Sequence, residues 1–127
     1  MNTDYVYEQG IETAMSAIDG RWKTSIVGRL AREGSPLRFN QLMAKVPGIS
    51  PRILTLQLRE LEKDGVIIRD VISTSPKYVE YSLSEHGKAL LPILDQLAEW
   101  GLQATACEDV LSFETESIIQ EKDKIQA

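Results

Sequence analysis

Ile49-Ser50-Pro51-Arg52-Ile53-Leu54-Thr55-Leu56-Gln57-Leu58-Arg59-Glu60-Leu61-Glu62-Lys63-Asp64-Gly65 is the stretch that decides the fold. Its spacing predicts one helix with both ends marked. The Ser50 hydroxyl suits an N-cap, because it accepts from a first-turn N–H that has no partner inside the helix. Pro51 fits the first helical position, where its missing N–H costs nothing. Gly65 is a natural stop. Leu54, Leu58 and Leu61 recur at helical spacing and form an inward stripe. Arg52, Thr55, Leu56, Arg59 and Lys63 fall on the opposite side. A basic, hydrogen-bonding face of this kind suits the major groove of DNA, where arginine pairs with guanine. The same pattern also describes a solvated surface helix, so the neighbouring segments must decide.

Upstream, Pro47-Gly48 ends a short helix expected over residues 40–46, with Leu42 and Val46 inward. Two short helices joined by Pro47-Gly48-Ile49-Ser50 have the proportions of a helix-turn-helix. Before them, Leu37-Arg38-Phe39 reads as a brief strand and Gly34-Ser35-Pro36 as a turn. Residues 20–33 read as a helix capped by Asp19, with Trp22, Ile26, Val27 and Leu30 turned inward. Arg21 and Lys23 in its first turn oppose the helix dipole, so a phosphate would be a welcome partner, as would plain solvent. Residues 5–18 form a further helix with Ile11, Met15 and Ile18 on one face.

Downstream, Val66 to Ile72 is β-branched and reads as a strand. Residues 73–76 read as a loop and Lys77 to Leu83 as the returning strand, which makes a hairpin. Lys77 near its tip, flanked by Arg69, could touch phosphate or enter a minor groove. Ser84 caps a long helix running to about Ala106, with Gly87 tolerated in its first turn and Pro92 a possible bend. Leu90, Leu94, Leu97, Gly101 and Ala104 make an apolar stripe, with Leu91, Ala98 and Trp100 beside it. Two partners fit that stripe: residues 5–18 of the same chain, or the same helix of a second copy. The surplus of apolar residues favours the second copy. Residues 108–120 are expected to form a last helix.

The chain has 127 residues, 43% of them apolar and 26% charged, ordinary values for one soluble domain. Its acidic N-terminus lacks the character of a signal peptide and no apolar run would span a bilayer, so a cytoplasmic location and no membrane partner are expected. One cysteine, Cys107, and one histidine, His86, form neither a disulfide nor a zinc cluster, so no metal and no cofactor are expected. No nucleophile converges with His86 and Glu85, so no catalytic residues are assigned and an enzyme is not expected. The net charge of −5 is unevenly spread: −4 over residues 1–20, +6 over 21–78 and −7 over 79–127. A basic middle between acidic ends suits a module that faces a polyanion.

With helix-turn-helix, hairpin and long C-terminal helix in that order, the chain resembles the HxlR-type winged-helix transcription regulators, relatives of the MarR group. The resemblance rests on Ile18-Asp19-Gly20-Arg21-Trp22-Lys23, Leu37-Arg38-Phe39-Asn40-Gln41-Leu42, Pro47-Gly48-Ile49-Ser50, Leu54-Thr55, Leu58 through Gly65, Val79-Glu80-Tyr81-Ser82-Leu83, Gly87, Leu90-Leu91-Pro92 and Trp100-Gly101. It implies a mostly α fold with a small β-hairpin: a winged helix-turn-helix with N- and C-terminal dimerisation helices. One domain over 1–127 is expected, with an N-terminal helix at 5–18, a core at 20–83 and dimerisation helices at 84–120.

The function it implies is a homodimeric, sequence-specific DNA-binding regulator, a repressor or dual regulator, reading a pseudo-palindromic operator in double-stranded DNA. The alternative is a winged-helix protein-interaction module without a DNA target. Carried over by position, Arg52, Thr55, Leu56 and Arg59 would face bases, and Lys63 would lie near phosphate. Arg38, Asn40 and Ser50 would meet the duplex at the starts of the two short helices, and Lys77 from the wing. Leu90, Leu94, Leu97 and Gly101 would form the dimer contact. Many members carry an early cysteine tied to thiol sensing; the corresponding place here is near Gln9. A small-molecule effector is allowed for, its identity unknown. Tyr5, Trp22 and Trp100 would line its pocket or be ordinary core.

Overall fold

The computed structural model describes residues 3–106. Five helices and one antiparallel hairpin follow in the order α1 (Thr3–Ile18), α2 (Lys23–Glu33), α3 (Phe39–Lys45), α4 (Pro51–Lys63), β1 (Ile67–Thr74), β2 (Lys77–Leu83) and α5 (Glu85–Ala106). The expected helix over residues 108–120, and Cys107, lie outside the described residues.

The core forms where the inward stripes of three helices meet the base of the hairpin. Ile26, Val27 and Leu30 of α2, Leu42 of α3 and Leu54, Leu58 and Leu61 of α4 are buried. Leu37, Val46, Ile49, Val66, Ile67 and Leu83 close the space between them. Each such side chain contributes about 1.5–3 kcal/mol on leaving water, and this burial is what holds these short helices together.

The helix-turn-helix forms as its local signals require. Ser50 Oγ accepts from Ile53 N–H at 3.2 Å, and Pro51 opens α4. Gly48 turns between the two helices at φ 85°, in the left-handed region that an L side chain seldom enters. At the far end of α4, Gly65 adopts φ 76°, and Val66 N–H donates back to Leu61 O at 2.9 Å.

Four expectations need correcting. Residues 20–22 form a turn, and α2 starts at Lys23 with no side-chain cap on its N-terminus. Asp19 does not cap the helix, because its carboxylate is taken by Lys23 Nζ at 3.0 Å. The brief strand at 37–39 reduces to one bridge, Leu37 to Tyr81, with N–H···O distances of 2.9 and 2.8 Å. Arg38 N–H already donates to Gln41 Oε1 at 2.8 Å, which draws the chain into α3. The hairpin is longer than expected and its loop shorter. Val71 pairs with Val79 and Ser73 with Tyr78, so Ile72 bulges and the ladder resumes to Thr74–Lys77.

Gly87 is required rather than tolerated. A Cβ there would lie 2.1 Å from the carbonyl oxygen of Val66, a backbone atom with no room to retreat. Ser84 binds the start of α5 to the same place. Its Oγ accepts from Gly87 N–H at 2.9 Å and faces the carbonyls of Gly65 and Val66.

Candidate nucleic-acid interface

A groove of about 590 Å³ runs between α4 and the hairpin, with the start of α3 at one end. Four cations line it: Arg38 from the N-cap of α3, Arg59 from α4, Arg69 from β1 and Lys77 from β2. Asn40 and Thr55 add polar groups, and Glu62 is the acid within this lining. Each side chain arrives there for a local reason. Thr55, Arg59 and Glu62 are successive members of one α4 row, at i, i+4 and i+7. Arg69 pairs with Tyr81 on the hairpin face shared with Ile67 and Leu83, whose side chains enter the core. That face therefore looks toward α4.

Beside this row, Arg52, Leu56, Arg59 and Lys63 make a second exposed row along α4. None of the four packs into the core. Arg52, Leu56 and Lys63 stand outside the groove lining, on the adjoining outer edge. Ser50 is exposed at the helix start, with its hydroxyl committed to the cap. Thr55 Oγ1 donates to Pro51 O at 2.9 Å, which leaves its lone pairs to accept. The Arg38 guanidinium lies over the Tyr78 ring, 4.2 Å from its centroid, and the ring orients it. Arg38, Asn40, Thr55, Arg59 and Lys77 are thus brought together in the groove, with Arg52, Leu56, Lys63 and Ser50 on its rim or beyond.

Sequence reasoning set Arg69 at the flank of the hairpin tip, and missed Glu62 in the groove lining and Tyr78 beneath Arg38. Parity along β1 carries the signal for Arg69. Ile67 points inward, so the residue two further on shares its face. No comparable local signal marks Tyr78, whose role depends on Arg38, forty residues earlier.

Lys23 was read as a possible phosphate partner, and the structure overturns this. Lys23 is 5% exposed, the one buried charged residue among the described residues. Nζ lies 2.9 Å from Glu60 Oε2, 3.0 Å from Asp19 Oδ1 and 3.2 Å from Ser16 O. Burial alone pushes the ammonium pKa down. Hydrogen bonds and charge from Glu60 and Asp19 outweigh this, so it sits above its ordinary value. Such an ammonium has no donor left for DNA. Trp22 packs against the core, whereas Tyr5 and Trp100 are exposed, so the core reading holds for Trp22 alone.

Comparison with known proteins fits this geometry. The HxlR-like helix-turn-helix family model matches residues 17–109. The chain belongs to the HxlR-like helix-turn-helix family. An HTH-type transcriptional regulator of Methanothermobacter thermautotrophicus is 44% identical over 98 residues, covering 77% of this chain and 73% of its own. The HTH-type regulator YtcD of Bacillus subtilis is 39% identical over 118 residues, 91% of this chain and 92% of its own. The crystal structure of a MarR-family regulator from Enterococcus faecalis V583 superposes with a TM-score of 0.69 at 36% identity, covering 80% of this chain and 91% of that one. This HxlR-like chain is accordingly a DNA-binding transcription regulator with a winged-helix fold. Its relatives are regulators rather than enzymes. Among the described residues no His, Cys, Asp and Glu cluster could hold a metal, and no helix is long and apolar enough to cross a membrane.

Proposed function

We propose that this HxlR-like regulator acts in the cytoplasm as a homodimer, a repressor or dual regulator, each copy laying α4 into one half of a two-fold symmetric duplex. Arg52, Thr55, Leu56 and Arg59 face base edges, Leu56 meeting a thymine methyl. Lys63, Arg38, Asn40, Ser50 and Lys77 hold the sugar–phosphate backbone, and Arg69 joins them. The observation that carries this reading is the groove itself, where Thr55 and Arg59 of α4 share one surface with Arg38, Arg69 and Lys77 despite an acidic chain overall.

The second copy is supported by apolar surface left open on α1 and α5. Tyr5, Val6, Tyr7, Ile11 and Met15 on the first are exposed, as are Ile93, Leu97 and Trp100 on the second. Of the four residues assigned to the dimer contact, Leu90 and Leu94 also lean on the chain's own core. Leu97 is exposed and Gly101 half-buried, and these form the outer part of the contact. The whole of 1–127 then acts as one domain, its ends devoted to pairing.

The test is to capture sheared genomic DNA with the purified protein and sequence the bound fragments. A shared site with inverted halves about one helical turn apart is the expected result. Capture of fragments with no common sequence would end the specific reading. On the selected site, Arg59→Ala should weaken binding by about 1–3 kcal/mol and relax one base position. Lys77→Ala should weaken all duplexes alike and reduce the salt slope by about 1.

A further inference from the structure

The ammonium of Lys23 joins three pieces of the chain through one polar cluster. It opens α2, and its partners are the last turn of α1 through Ser16 O, the α1–α2 link through Asp19, and α4 through Glu60. Against Ala89, Leu90 and Ile93 of α5, a cleft is lined by Thr13, Ala14 and Ala17 of α1. No side chain of that helix is buried among the described residues, and Ala17 is the part of α1 that packs on the core. Glu60 is the immediate neighbour of Arg59, one step around α4 from the groove row. The carbonyl end of α1 carries the negative pole of its dipole, which adds to the attraction.

From this arrangement we infer that Lys23 is a positioning residue: it locks α1 to the recognition helix α4 and thereby sets the separation at which two copies address DNA. The inference rests on the homodimer reading for its last clause only. The lock joins parts of one chain. Asp19 and Glu60 keep access to water, so removing the ammonium leaves carboxylates that solvent can satisfy, and Lys23→Met should fold. Glu60→Gln is the gentler variant; it leaves Lys23 with Ser16 and Asp19 and weakens the tie to α4 by removing its charge while keeping an acceptor.

Two readouts test the lock. Spin labels at Gln9→Cys and Glu62→Cys, in a Cys107→Ser background diluted with unlabelled protein, report the α1–α4 distance within one chain. Wild type should give a narrow distribution, with Lys23→Met broadening it about twofold and Glu60→Gln less. An unchanged width in both variants overturns the proposal. The second readout compares the selected duplex with one lengthened between its halves by half a helical turn. Wild type should lose about tenfold or more on the longer duplex, and Lys23→Met should discriminate less while keeping the same salt slope, since no phosphate contact is removed. Equal discrimination by variant and wild type overturns the spacing claim. Wild type that sediments as a monomer and ignores the insertion refutes the homodimer reading and the spacing clause with it, and the label distance still decides the lock.

Discussion

In α2 and α4 the apolar stripe is sealed, with Ile26, Val27, Leu54 and Leu61 wholly out of water. In α1 and the outer half of α5 stripes of the same spacing lie open: Tyr7 is 71% exposed, Met15 53% and Trp100 69%. Both pairs of helices carry apolar residues at helical intervals, and periodicity alone does not separate them. The difference teaches that a stripe declares that a helix will bury one face, without declaring against what. The sealed stripe of α4 is entered through a dedicated cap and turn, Ser50 and Gly48, that aim it into the core. In α1 and the outer half of α5 no described side chain is buried.

Substitutions can break this contrast or sharpen it. The largest loss is expected from Leu54→Ala, which empties a sealed position and should cost about 3 kcal/mol in denaturant unfolding. Gly87→Ala drives a methyl into the Val66 carbonyl and should cost about 2 kcal/mol, with a lower thermal midpoint. Ser50→Ala removes the cap of α4 for about 1 kcal/mol, read in the same melt. Trp100→Ser should change unfolding of the isolated chain by less than about 0.5 kcal/mol, yet lower the sedimenting mass at equal concentration. A Trp100→Ser loss as large as that of Leu54→Ala would mean that the open stripe is sealed in solution by its own chain. The smallest effect is expected from pH acting on Lys23. Its folded pKa lies above the ordinary 10.5, so its stabilisation is complete below that value and lost only as pH rises through the raised one. A titration of stability around neutrality should therefore show no step from this group, and Lys23→Met should remove an alkaline one.

The parts legible in the sequence were those whose causes sit within a few residues. Ser50, Pro51 and Gly65 mark α4, and the alternation from Lys77 to Leu83 marks β2. Residues that were misread depend on distant partners. Lys23 looked like a free cation because Glu60, which neutralises it, is thirty-seven positions away. Gly87 looked optional because the carbonyl it faces belongs to Val66 across the fold. Asp19 had a nearer and stronger claim than the cap expected of it. For the groove, α4 advertised its own cations, whereas Arg69 needed the strand parity and Tyr78 needed the folded hairpin.

The close approach of Gly87 to Val66 carries a mechanical consequence. Where β1 begins, bare backbone meets bare backbone, and Ser84 ties the same spot with its hydroxyl. A hinge needs slack, and there is none at this rivet. α5 has 22 residues and so reaches about 33 Å from that fixed end. A tilt of the hairpin by about 10° would therefore swing the tip of α5 through about 6 Å, the leverage of a long oar on a short pivot.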